Sequence, residues 1–434
     1  MDRISVIRRC AAVAAALLVA VLPGTTAGAA PGDNPGALTP VPSAAYGKLQ
    51  LQEHRVAAST INTLDTLLPN VGVDAVLKSA NHPMRNKGDC LGTEAAALPL
   101  EPAVSSAYCW DTGDANTQEW VPQGLTSSGD ADDDGLWGTN KVILSGWTNR
   151  AGENLARVAF IDANTAGAFK YRWVLLTVPT EGGTNFTNLG SHLGGAVWYG
   201  DKLIVTASNG DASHNALFVF SMAHILQASV NGDAVGKTAG GYSAHGYQYI
   251  MPAIGSYSLS QKCDPDTDDN APCVAAITLD RTTSPYSLVA NEWFSSGGAQ
   301  PARIFRYQLA APGGAMPLTV DGNGKANVLP GALETKAVGL QSVLAYQNAY
   351  YTADARGGIG QHGILWRLST AGATSAAGCG TPSACWGKHT EDMSLWWSTK
   401  QVWTQTEWAA NKDAKWKPQA IPERILFSTP LSAL

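Results

Sequence analysis

A polar, glycine-containing opening followed by three apolar strands recurs along this chain, and no other feature restricts its fold so strongly. The unit starts with VPQG at 121–124, leading into KVILSGW and LARVAFID, and again with HLGG at 192–195, leading into AVWYGDKLIVTAS and ALFVFSM. A blurred third copy starts near PAIG at 252–255 and runs through CVAAITLD and SLVANEWF to ARIFRYQL. GLQS at 339–342 opens a fourth copy, and HTED at 389–392 a fifth that ends in ERILFS. Each copy alone would expose two apolar sheet faces that only its neighbours can cover, so a radial array follows. The expected fold is all-β, a β-propeller of about five blades. The segment 89–113 would add either a strand that closes the ring or a sixth blade, and a β-sandwich or two smaller β domains is the competing architecture.

Runs rich in Val, Ile, Tyr, Trp and Thr, broken every ~8–15 residues by Gly, Asn, Asp or Pro, supply the strands. They lie at 141–147, 155–161, 171–178, 202–207, 216–220, 273–279, 287–294, 303–309, 363–368 and 401–406. The 14 Trp and 13 Tyr concentrate on them, and flat rings suit the wedge between adjacent sheets. The segment WVPQGLT at 120–126 resembles the start of an inner strand in secreted bacterial β-propeller proteins, which often carry P-Q-G or P-E-G there. That resemblance implies the fold and a central channel lined by polar groups of the inner strands; it implies no particular reaction.

Upstream of the repeats, three regions differ in character. Arg3, Arg8 and Arg9, an apolar run over 11–22, and small residues at Ala27 and Ala29 read as a cleavable secretory signal over 1–29. The run is too short to span a bilayer, which takes ~20 helical residues, so no membrane anchor is expected; Arg8-Arg9 leaves a twin-arginine route open. Residues 30–85 form an arm and one helix, expected over 46–68 from apolar residues at mixed 3 and 4 spacings. The repeats occupy 86–434.

Without the signal, 26 basic and 34 acidic side chains remain, a net charge of −8 with His neutral. With no cluster of Lys and Arg, nucleic acid is not an expected partner. The six cysteines downstream fall into local pairs, predicting disulfides Cys90–Cys109, Cys263–Cys273 and Cys379–Cys385, as suits a monomer working in an oxidising extracellular compartment.

Function is sought at the start of each unit, because these positions converge if the array is radial. Gln123, His192, Gln341, His389, Glu391 and Asp392 are the polar residues there. Imidazole and carboxylate side by side could supply general acid and base, with Glu391, Asp392, His192 and His389 catalytic and Gln123 and Gln341 holding substrate. The expected activity is that of an extracellular hydrolase or lyase on a polar substrate such as a glycan. A non-catalytic carbohydrate- or protein-binding module is the alternative, and the same polar groups could simply bind water and satisfy backbone at the axis. Asp130, Asp132 and Asp134, followed by Gly135, match the alternate carboxylates of a calcium loop, against a plain solvated hairpin loop. Asp264, Asp266, Asp268 and Asp269 are taken as a polar surface loop. No motif for a nucleotide or flavin cofactor, a serine-hydrolase elbow or a zincin helix occurs.

Overall fold

The computed structural model describes residues 33–152, 154–207, 213–263, 271–294, 301–355, 360–376, 384–409 and 421–434. It is mostly strands with few helices, so the fold is all-β. Five antiparallel four-strand meanders follow one another. The first comprises Trp120–Ser127, Val142–Asn149, Ala156–Asp162 and Lys170–Thr180. The second comprises Ala196–Tyr199, Lys202–Thr206, Asn215–Ser221 and Tyr249–Ser258. The third runs Val274–Asp280, Ser287–Glu292, Ala302–Gln308 and Leu333–Thr335. The fourth runs Leu344–Tyr346, Ala349–Asp354, Ile364–Ser369 and Gly372–Ser375. The fifth has three strands of its own, Thr390–Trp396, Gln401–Thr406 and Ile425–Pro430. Its fourth is Ser106–Cys109 from far upstream, so the 89–113 segment contributes a strand to the last meander. The opening strands of the five touch in cyclic order, the fifth returning to the first. The largest sheet joins the first two meanders by a parallel pairing of 249–252 on 174–177 and is nearly closed and barrel-like.

Local chemistry explains these turns and contacts. Gln347 and Asn348 take φ values of 48° and 65° in a two-residue hairpin, the left-handed pair that matches strand twist and that Asn tolerates well. The opening glycines serve close approach. A Cβ on Gly124 would lie 2.6 Å from the Leu193 carbonyl oxygen of the second meander, and one on Gly195 would lie 2.4 Å from the Ile277 nitrogen of the third. The glycines in the repeated openings are therefore what lets successive opening strands press backbone to backbone.

Two expectations need correction. The helix foreseen over 46–68 is an α-helix only at Ala58–Leu67, preceded by a 3₁₀ turn at Ser43–Leu49 and a strand at Leu51–Arg55. The strand pairs with Tyr249–Ser258 and Lys325–Ala326, so unsatisfied sheet-edge donors and acceptors outweigh local helix propensity. The PAIG segment at 252–255 does not open the third unit: it lies in the outermost strand of the second, and Val274–Asp280 is the true opening.

Disulfides join Cys90 to Cys109 and Cys263 to Cys273. Cys385 is also disulfide-bonded, and its expected partner Cys379 lies outside the described residues. The signal segment and the Asp264–Asp269 cluster lie outside them too. Among the described residues no helix is long and apolar enough to cross a membrane.

Candidate functional site

Backbone bulges shape the meeting point of the first, second and fifth meanders. The register slips between Pro122 and Leu125 in one opening strand and between Thr390 and Met393 in another. A bulge re-aims the side chains it carries, and here those are Gln123, Glu391 and Asp392. His389 sits just ahead with φ of 43°, a left-handed conformation that His adopts more readily than most residues.

Glu407, which the sequence reading passed over, is the hub. Its Oε1 accepts from the Gln123 amide at 2.9 Å and from Arg150, and its Oε2 accepts from the Trp408 indole N–H at 2.8 Å. Trp408 in turn stacks on His389, with ring centroids 3.5 Å apart and planes 7° from parallel. Gln123, Glu407 and His389 are buried, whereas Arg150 is exposed. His192 is exposed as well, yet protein crowds its ring on several sides. That crowding depresses it below the usual imidazole range; Glu407 pulls the other way and Arg150 adds to the depression. His192 is therefore an exposed residue near a cation, in surroundings that disfavour its charged form.

Asp392 has a different setting. Its Oδ2 accepts from the backbone N–H of Leu125 at 3.1 Å and of Ala196 at 2.8 Å, linking the opening strands of three meanders. Burial raises it well above the usual carboxylate range, opposed by those N–H groups and helped by the nearby Asp130. Glu391 is likewise buried, at 1% exposure. Gln341 opens the fourth meander half-buried, and its backbone N–H donates to the Ala353 carbonyl at 3.0 Å. No side-chain hydrogen bond among the described residues ties it to the Glu407 group.

The three carboxylates of the expected calcium loop are split. Asp130 is buried, accepting from the hydroxyls of Thr126 and Ser394 at 2.8 Å each. Burial pushes it up to about 6 against those two bonds and the charge of Arg281. Asp132 and Asp134 are exposed and accept from backbone N–H groups of their own loop, while Asp133 pairs with Arg281. The alternate-carboxylate cage is not formed, because Asp130 turns inward to hydroxyls on two opening strands.

Gln123, His192 and His389 thus come together, around two residues that were missed. Register arithmetic contains the signal for Glu407: Thr390 pairs with Thr406, which places position 407 across from 389. Arg150 likewise follows the strand paired with Trp120–Ser127. No protein-family model matches the chain, and no curated protein matches it either.

Proposed function

We propose that this chain is a secreted, monomeric β-propeller of five blades whose axial mouth acts on an acidic extracellular glycan, as a lyase rather than a hydrolase. The cyclic contact of the five opening strands supports the propeller, each meander being one blade and Ser106–Cys109 completing the last. One observation carries the reaction class: His192 is an exposed imidazole near the Arg150 charge, while the carboxylates that hydrolysis would need are sealed in. Glycoside hydrolysis takes two carboxyl groups reaching the bond from either side at ~5–9.5 Å. Glu391 and Asp392 are 1% and 0% exposed, and Glu407 is occupied by three donors.

Elimination asks for less. His192 takes the proton on the carbon next to the sugar carboxylate, and that electron pair forms the new carbon–carbon double bond. The glycosidic carbon–oxygen bond breaks at the adjacent carbon, and the departing oxygen takes a proton from water. Arg150, on an exposed stem, offsets the charge that gathers on the substrate carboxylate, and Gln123 and Glu407 fix its position. A non-catalytic carbohydrate-binding module is the second reading, favoured by the complete hydrogen bonding of Glu407.

The test is a panel of uronic-acid polysaccharides and neutral glycans incubated with the mature protein. New ultraviolet absorbance from an unsaturated sugar, lost in His192→Ala at unchanged melting temperature, is the expected result. Reducing ends without that absorbance would make it a hydrolase, and binding without turnover would make it a module.

A further inference from the structure

A cleft of about 410 Å³ is lined by residues that include Asn81, His82, Asp114, Arg157, Arg172, Tyr247 and Gln248. Its volume is within the ~300–1,000 Å³ of ordinary small-molecule sites. A buried guanidinium forms its wall. Arg157 lies 3.6 Å from the Trp173 ring and 4.2 Å from the Trp120 ring, donates to Asp114 at 2.7 Å, and donates to the Tyr247 hydroxyl at 3.1 Å. Asp114 is also taken up by the Tyr171 hydroxyl at 2.5 Å and the Trp173 indole N–H at 3.1 Å. Asp111 is bound to His82 and to the Asp114 N–H.

His82, Asp111 and Asp114 bring their donor atoms close enough to suggest a cation. The guanidinium already paired with Asp114 opposes one, and the three donors on that carboxylate leave it little to offer a metal. Arg172 points to the opposite charge. Among the described residues its partners are neutral, the Gln248 side-chain oxygen and the Tyr249 ring, with no carboxylate paired to it, in a chain whose net charge is −6.

We infer that this cleft binds the oxyanion of a small polar ligand, a carboxylate, sulfate or phosphate. Arg172 is the charged contact, the amides of Asn81 and Gln248 are uncharged donors, and the Tyr247 ring flanks the body of the ligand. The site shares no residue with the His192 and Glu407 group and stands whether or not that group is catalytic. Planar, forked donors suit oxyanions, and a charge-assisted hydrogen bond is about twice as strong as a neutral one.

Calorimetric titration of the mature protein with glucuronate, a sulfated galactose, inorganic phosphate and neutral glucose tests the inference and separates the possible sources of the anion. At least one anion is expected to bind and glucose is not, with affinity falling as sodium chloride is added. Arg172→Gln should weaken anion binding by at least ~10-fold, and Gln248→Glu, which sets a carboxylate against Arg172, should do the same, both at the parent's melting temperature. Failure of all three anions to bind, equal binding of glucose, or parent-like affinity in both variants would overturn it.

Discussion

Replacing Asp130 with Asn should make the protein more stable at neutral pH, by an amount that grows with pH. The folded carboxyl titrates at about 6 against an ordinary 3.8, a consequence of burial that two hydroxyl donors and Arg281 only partly offset. A rise of roughly two units, at ~1.4 kcal/mol per unit, amounts to about 3 kcal/mol. Because the folded value is raised, the folded state keeps a proton that the unfolded chain has already lost. The contribution is intact below about pH 4 and lost as pH climbs through about 6. An amide in place of the Asp130 carboxyl cannot ionise, and its carbonyl oxygen can still accept from Thr126 and Ser394. Urea unfolding of parent and D130N at steps between about pH 4 and 7.5 should show the difference in stability moving in the variant's favour by about 3 kcal/mol. Because both chains share every other titrating group, the subtraction removes most of the background. A flat difference would refute the reasoning. One that moved the other way, joined to a melting temperature that falls on adding EGTA, would restore the calcium loop of Asp130, Asp132 and Asp134.

Three further outcomes are expected. Gly195→Ala should cost ~1–3 kcal/mol in denaturant unfolding, since its Cβ would meet the Ile277 nitrogen at 2.4 Å and two backbones would have to part. In Glu407→Gln the imidazole of His192 loses the one charge that raises it, so its titration midpoint followed by NMR should move to lower pH; a midpoint that stays or rises would contradict the assignment. Replacing Cys90 and Cys109 with Ser should lower stability by ~2–4 kcal/mol, read from urea unfolding against the parent under oxidising conditions.

Each strand run read from the sequence has a counterpart within a residue or two, because alternating apolar and β-branched positions between turn residues are a local signal. What failed was information held elsewhere in the chain. Leu51–Arg55 looks helical until the open edge of Tyr249–Ser258 is known, and 252–255 looks like an opening because its Gly resembles those of the true openings. At the candidate site, the polar residues at the start of each unit were legible, while Glu407 and Arg150 sit just past the far ends of partner strands and appear only after register is assigned. The Arg157 cleft was not legible at all. Its lining comes from positions near 81, 114, 157, 172 and 247, and nothing short-range distinguishes an arginine that pairs with a distant aspartate from one that faces water.

The last meander borrows its outer strand from residues 106–109, more than 300 positions upstream of the Ile425–Pro430 strand it pairs with. When the chain is synthesised amino end first, that edge of the strand stays unpaired until Ile425–Pro430 has emerged, so the fifth meander closes only after the strands of the other four have been made. Removing Ile425–Pro430 would then free both strands that it pairs with, and a protease that cuts there should leave Cys90 and Cys109 newly reachable by reductant.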